Sequence, residues 1–210
     1  MAIGGDLSVE RLKLAYSMGF FPYYAFHMER EPHWHCPLDR YVIFPDEIHI
    51  SHSMRQLLRQ QKYEITFNQD FEGVINSCST VQERNEEFGA WLGSDIIEAF
   101  TRLHRCGVAA SVEVWEPADT PQGRRLVGGL YGVKQHNAFM GESMFSLVSN
   151  ASKLALIHLA KTMENEGGRF IDCQFETPFF RSMGGRYITY DEYMELINAE
   201  QMPTASESDA

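Results

Sequence analysis

Two short apolar runs, Leu126 to Val133 and Ala138 to Phe145, flank the polar turn Lys134-Gln135-His136-Asn137. That pattern predicts two antiparallel strands joined by a hairpin. Glu142 falls inside the second run, where periodicity alone would place core. Beyond it, Ser149 or Asn150 is positioned to cap a helix whose apolar positions Leu154, Ile157, Leu159 and Met163 recur at helical spacing, with Gly167 and Gly168 ending it. Arg169 to Gln174 then reads as a strand with Phe170 and Ile171 in the core. A period of two puts Asp172 and Gln174 on the same face of it.

The rest of the chain supplies elements around this stretch. Ser8 caps a helix carrying Val9, Leu12, Ala15 and Tyr16, which Gly19 and Pro22 stop. An aromatic cluster from Phe20 to Phe26 follows, and Pro32, Pro37 and Pro45 break the next segment into short elements. Residues 1–62 are therefore expected to form a small N-terminal α+β domain, with the boundary near Lys62, residues 63–200 the main domain and 201–210 a polar tail. Within the main domain, Tyr63 to Phe67 alternates like a strand, Asp70 and Ser94 start helices, Gly107 ends the second, and Ala110 to Trp115 is a strand. A polar loop spans Glu116 to Arg125. A short strand, Arg186 to Thr189, and a helix from Asp191 to Asn198 close the order. The expected class is α+β, a mixed sheet flanked by helices.

Composition narrows the class. With 210 residues and 44% hydrophobic positions the chain can bury a substantial core. The four cysteines, Cys36, Cys78, Cys106 and Cys173, lack CxxC spacing, which argues against a zinc site or a disulfide framework. His33 and His35 flank Trp34, but the eight histidines show no ligand spacing, and no metal is expected. No apolar run is long enough to cross a membrane, so a soluble, cytoplasmic protein without membrane contact is expected; a monomer is expected as well. A net charge of −11 counts against general duplex binding. It is compatible with gripping a single-stranded end, through stacking and local cations such as Arg55, Arg59, Lys62, Arg124, Arg125 and Lys134. For any one of these, a solvated helix face or loop is the commoner explanation.

Seven blocks occur in one order: Gly4-Gly5-Asp6-Leu7-Ser8, Gly19-Phe20-Phe21-Pro22, Ser111-Val112-Glu113-Val114-Trp115, Gly128 to Val133, Gly141 to Ser146, Asn150 to Lys153 and Asp172 to Gln174. This order closely resembles the leucyl/phenylalanyl-tRNA–protein transferases over most of the chain. The resemblance implies transfer of leucine or phenylalanine, with methionine a third donor, from aminoacyl-tRNA to a protein's N-terminal Arg or Lys, which marks that protein for degradation. It also implies a main domain with the architecture of the acetyl-CoA-dependent N-acetyltransferases. Ser146 to Ser152 contains no glycine, however, so the pyrophosphate turn of those enzymes is missing and no acyl-CoA or other cofactor is expected. Two positions depart from the family pattern: His136 stands where a glycine is usual, and Phe175 to Phe180 lacks the usual histidine.

Aminolysis of an ester needs a neutral amine, correct placement and a path for protons. An α-amino group with a pKa of roughly 7.7 to 8.0 is partly neutral near pH 7, so orientation can dominate. Asp172 and Gln174 suit that orienting role, since the amide carbonyl can accept from the attacking amine, while the carboxylate attracts a cationic N-terminal arginine or fixes the amide. The alternative for Asp172 is a turn or cap at a strand end. Glu142 is a candidate for the donor's α-amino group, or for a structural ion pair with Lys153 or an arginine. By the resemblance, the side-chain pocket is lined by Leu130, Met144, Leu156, Leu159, Met163 and Ile171, all equally explained as core, and Tyr23 and Trp91 stack the terminal adenosine. Two other functions remain open on the sequence: an acetyl-CoA-dependent N-acyltransferase, and a noncatalytic adaptor that binds N-termini.

Overall fold

The structure is a computed structural model that describes residues 1–23, 31–85 and 92–199. Strand β1 (Ala2–Ile3), helix α1 (Val9–Ser17), β2 (Phe21–Tyr23) and β3 (His33–His35) come first, the three strands forming an antiparallel sheet in the order β1-β3-β2. Strand β4 (Asp39–Ile43), a 3₁₀ turn (Pro45–Glu47) and α2 (His52–Gln60) lead to β5 (Glu64–Phe67), α3 (Phe71–Asn85) and α4 (Ser94–Arg105). Three long strands follow, β6 (Ala109–Pro117), β7 (Arg124–Gln135) and β8 (Ala138–Ser146). Then come α5 (Ala151–Asn165), β9 (Phe170–Gln174), α6 (Pro178–Ser182), β10 (Arg186–Thr189) and α7 (Tyr190–Asn198).

The larger sheet has seven strands in the order β10-β4-β9-β8-β7-β6-β5. All its pairings are antiparallel except β8 with β9. Parallel neighbours need a crossover rather than a hairpin, and α5 is that crossover. The expected α+β class with a mixed sheet flanked by helices is what forms. The expected boundary near Lys62 differs from the pairing, because β4 lies inside the larger sheet between β10 and β9. Residues 39–43 are too few for periodicity to reveal. They are held there by strands that appear much later in the chain. Trp91 and the polar tail of 201–210 lie outside the described residues.

Each face of the large sheet carries its own core. On one face Leu12 of α1, Ile75 of α3, Phe100 of α4 and Tyr193 and Ile197 of α7 pack with Tyr131 and Met140. On the other, Met54 of α2 and Leu156, Ile157 and Ala160 of α5 pack with Leu130, Phe139 and Ile171. Gly128 lets α5 begin directly against β7, since a Cβ there would meet Ala151 Cβ at 2.4 Å. The Ser111–Trp115 block is a buried polar tie between strands: Glu113 accepts from the hydroxyls of Thr66 and Ser111, and Trp115 Nε1 donates to Thr66. Among the described residues no helix is long and apolar enough to cross a membrane.

Candidate active site

Glu142 is aimed into the site by a β-bulge. Tyr131 of β7 faces Ser143 and Gly132 faces Gly141, so Glu142 is an extra residue with no counterpart across the ladder. A bulge bends its strand and re-aims a side chain. Gly132 permits this one, because a Cβ there would lie 2.1 Å from the Met140 carbonyl oxygen. Glu142 is buried, and its partners are neither Lys153 nor an arginine side chain within hydrogen-bonding reach. The Tyr16 hydroxyl of α1 donates to Oε1 at 2.7 Å, and Gln174 Nε2 donates to the same oxygen at 3.2 Å. Oε2 is buried without a hydrogen-bond partner among the described residues. Burial pushes the Glu142 carboxyl up to about 8; Asp172 adds to the rise, while Tyr16, Arg40 and Gln174 oppose it.

Gln174 comes to Glu142 through a second irregularity. Tyr41 of β4 faces Gln174 and the next residue, Val42, faces Asp172, which leaves Cys173 as an extra residue on β9. Gln174 itself adopts a left-handed conformation, with φ at 63°. The simple alternation expected for Asp172 and Gln174 is therefore broken, and the contact between them runs to the backbone: Gln174 N donates to Asp172 Oδ1 at 2.8 Å. The side-chain amide of Gln174 turns to Glu142 instead. On the parallel side, the β8–β9 ladder stops at Met140 opposite Asp172. Beyond that point no ladder pairing joins the two strands, and across this gap in the pairing the side chains of Glu142 and Gln174 meet.

Asp172 is not an open strand-end carboxylate. It is 1% exposed, forms an ion pair with Arg40 Nε at 3.2 Å and accepts from the Tyr193 hydroxyl at 3.0 Å. Burial raises its pKa, against the pull of Arg40, the Gln174 N–H and Tyr193. Its second oxygen is thus engaged from within, so its contacts support the fixing of Gln174 and not the attraction of a substrate cation.

A cavity of about 240 Å³ opens beside Glu142 and Gln174. Five of the six expected pocket residues, Leu130, Met144, Leu156, Leu159 and Ile171, line it together with Phe139 and Phe180. The sixth, Met163, lines a neighbouring cavity of about 420 Å³ that shares Leu159 and Phe139. Tyr23 lies on β2, 36% exposed, with its ring edge-on to His35 at 5.7 Å, outside the cavity lining. Of the candidate cations, Arg124 pairs with Glu64 and stacks over Trp115, and Arg125 pairs with Glu116. Arg55 and Arg59 are exposed on α2 without an ion pair among the described residues, and Lys62 lies over the Tyr63 ring. No group of three or more His, Cys, Asp or Glu among the described residues is arranged to hold a metal.

The family described as leucyl/phenylalanyl-tRNA protein transferase matches residues 42–198, and its N-terminal domain matches residues 5–38. The chain belongs to that transferase family. It is 43% identical to the leucyl/phenylalanyl-tRNA–protein transferase of Flavobacterium johnsoniae, over 95% of this chain and 90% of the relative. Its identity to the enzyme of that name from Pseudomonas aeruginosa strain PAO1 is 42%, over 97% and 87% of the two chains. Among solved structures, L-PGS from Bacillus licheniformis aligns with a TM-score of 0.44 and 11% identity, over 80% of this chain and 51% of that one. The N-terminal family segment ends just before β4, at residue 38. In this transferase family member, three residues of the site were missed from the sequence: Tyr16, Arg40 and Tyr193. Tyr16 and Tyr193 sit at helical core positions, and Arg40 comes just before an apolar run. The available signal for Arg40 was a lone cation beside the run Tyr41-Val42-Ile43, because a buried charge demands a partner.

Proposed function

We propose that this protein moves leucine or phenylalanine, and in the same cavity methionine, from aminoacyl-tRNA to the α-amino group of a protein beginning with Arg or Lys. The supporting observation is the apolar cavity that ends on Glu142 and Gln174. An unbranched, flexible wall such as Met144 adapts to both an aliphatic and an aromatic side chain. With that side chain in the cavity, the ester carbonyl lies near the gap between β8 and β9, where the acceptor amine attacks it. A C–N bond forms, the ester C–O bond breaks, and the tRNA ribose oxygen leaves and takes up a proton.

Glu142 and Gln174 divide the remaining work. Because Gln174 Nε2 donates to Glu142, the amide oxygen points away from that carboxylate and is oriented to accept from the amine. The raised pKa of Glu142, about 8, matches that of an α-amino group, so a proton passes between them at little cost. Asp172 acts at one remove, holding the Gln174 backbone. Tyr23 is the stacking platform for the terminal adenosine, with Trp91 as its partner by resemblance. Family membership disfavours the acyl-CoA reading, and Ser146 to Asn150, which joins β8 to α5, carries no glycine for a pyrophosphate.

The test supplies labelled Leu-tRNA, Phe-tRNA and Met-tRNA with a folded protein that begins with Arg. Label on the Arg protein supports the reading. Absence of transfer from every charged tRNA sinks it, and binding of Arg peptides without transfer or tRNA contact points to the adaptor.

A further inference from the structure

Arg40 is a buried charge with several partners, and the transfer chemistry does not use it directly. It is 2% exposed. One Nη2 donates both to the Gly19 carbonyl, just past α1, and to the Tyr193 hydroxyl of α7 at 3.1 Å. The guanidinium lies over the rings of Phe21 and Tyr193, at 5.0 and 4.5 Å from their centroids. Its Nε faces Asp172 Oδ2 at 3.2 Å. Three segments distant in sequence, at Gly19–Phe21, Asp172 and Tyr193, therefore meet on the Arg40 guanidinium, which faces the carboxylate that holds Gln174.

We propose that Arg40 is a positioning residue for aminoacyl transfer: it fixes the Asp172 carboxylate so that Oδ1 holds the Gln174 N–H and keeps Gln174 left-handed, with its amide on Glu142. The proposal rests on the transferase reading. A Gln in that conformation is held against its backbone preference, and an ionised carboxylate is a stronger acceptor for the restraining N–H than a neutral acid. Asp172 is faced by Arg40 of β4, Tyr193 of α7, Glu142 of β8, Tyr16 of α1, and Cys173 and Cys36. Arg40 is the cation of that set. Without it, Asp172 takes up a proton at higher pH and releases Gln174.

Arg40→Met and Arg40→Lys would be compared with the parent in single-turnover transfer from Leu-tRNA to an Arg peptide, between pH 6 and 9. Folding is followed by thermal melting, and both substrate affinities are measured. For folded Arg40→Met the expected result is a rate lowered by about 10²-fold, substrate affinities changed less than threefold, and an acid limb moved upward by about one pH unit or more. Arg40→Lys restores the limb toward the parent position. Tyr193→Phe, which removes one hydrogen bond to the same oxygen, shifts the limb the same way by less, and serves where Arg40→Met does not fold. An unmoved acid limb in folded Arg40→Met, or in Tyr193→Phe if Met is unfolded, overturns the proposal. A parent protein that transfers nothing refutes the transferase reading instead.

Discussion

Replacing Glu142 by Gln separates the cost of the site from its use. The amide keeps the carboxyl's shape and retains an oxygen for the Tyr16 hydroxyl and the Gln174 amide, but it cannot ionise. In the folded protein Glu142 titrates at about 8, against 4.5 for the unperturbed side chain. A folded-state pKa above the unfolded value means the folded chain binds the extra proton between those limits. Stability from this group is full below about pH 4.5 and is lost as pH rises through about 8. At about 1.4 kcal/mol per pH unit the loss is on the order of 5 kcal/mol by pH 8 and above. Asp172 is also raised and titrates in both proteins, so the difference between the two pH–stability curves reports Glu142 together with its coupling to Asp172. Urea unfolding from pH 5 to 9 is the assay. Glu142→Gln should match the parent near pH 5, exceed its stability by several kcal/mol near pH 9, and transfer amino acid about 10²- to 10⁴-fold more slowly. Parallel stability curves would show that the carboxyl is not held protonated, and a Glu142→Gln protein of normal rate would remove its proton-transfer role.

Four further outcomes follow from the contacts. Asp172→Ala leaves the Arg40 guanidinium buried without its counter-charge, so a destabilisation of about 3–5 kcal/mol is expected in urea unfolding; folding barely altered, as an open strand end would predict, contradicts this. Tyr16→Phe removes a donor that lowers the Glu142 pKa, so the pH–rate limb belonging to Glu142 should move upward, and an unmoved limb counts against the Tyr16–Glu142 contact. Leu130→Phe narrows the cavity from a buried wall and should reduce phenylalanine transfer roughly tenfold or more relative to leucine, read by competition between the two charged tRNAs. Tyr23→Ala should weaken aminoacyl-tRNA binding by about 1–3 kcal/mol and leave the single-turnover rate at saturating tRNA nearly unchanged.

Much of this architecture was legible because local and long-range signals agree. Gly107, Asp70, Ser8 and the 134–137 turn delimit elements that form within a residue or two of where they were expected. The pocket residues on α5, Leu156 and Leu159, were legible only through resemblance, since their spacing also describes core. What pattern could not show is what depends on pairing across the sheet. Strand β4 is short and broken from its neighbours by Pro37 and Pro45, and its place is decided by β9 and β10. The bulges at Glu142 and Cys173 add a residue to one strand without marking the sequence with anything but Gly132 and Gly141. For the same reason the expected alternation of Asp172 with Gln174 hid a left-handed glutamine and a carboxylate turned inward to Arg40.

In the function proposed above, the cavity, Glu142 and Gln174 together pass an amino acid from tRNA to a basic N-terminus. The most direct measurement is N-terminal sequencing of a protein beginning with Arg after incubation with this chain and Leu-tRNA, beside an otherwise identical protein whose α-amino group is acetylated. The expected result is leucine as the new first residue, followed by the original arginine, and no addition to the acetylated protein. An unchanged N-terminus with folded protein and intact Leu-tRNA, or leucine attached to the acetylated substrate, would contradict it.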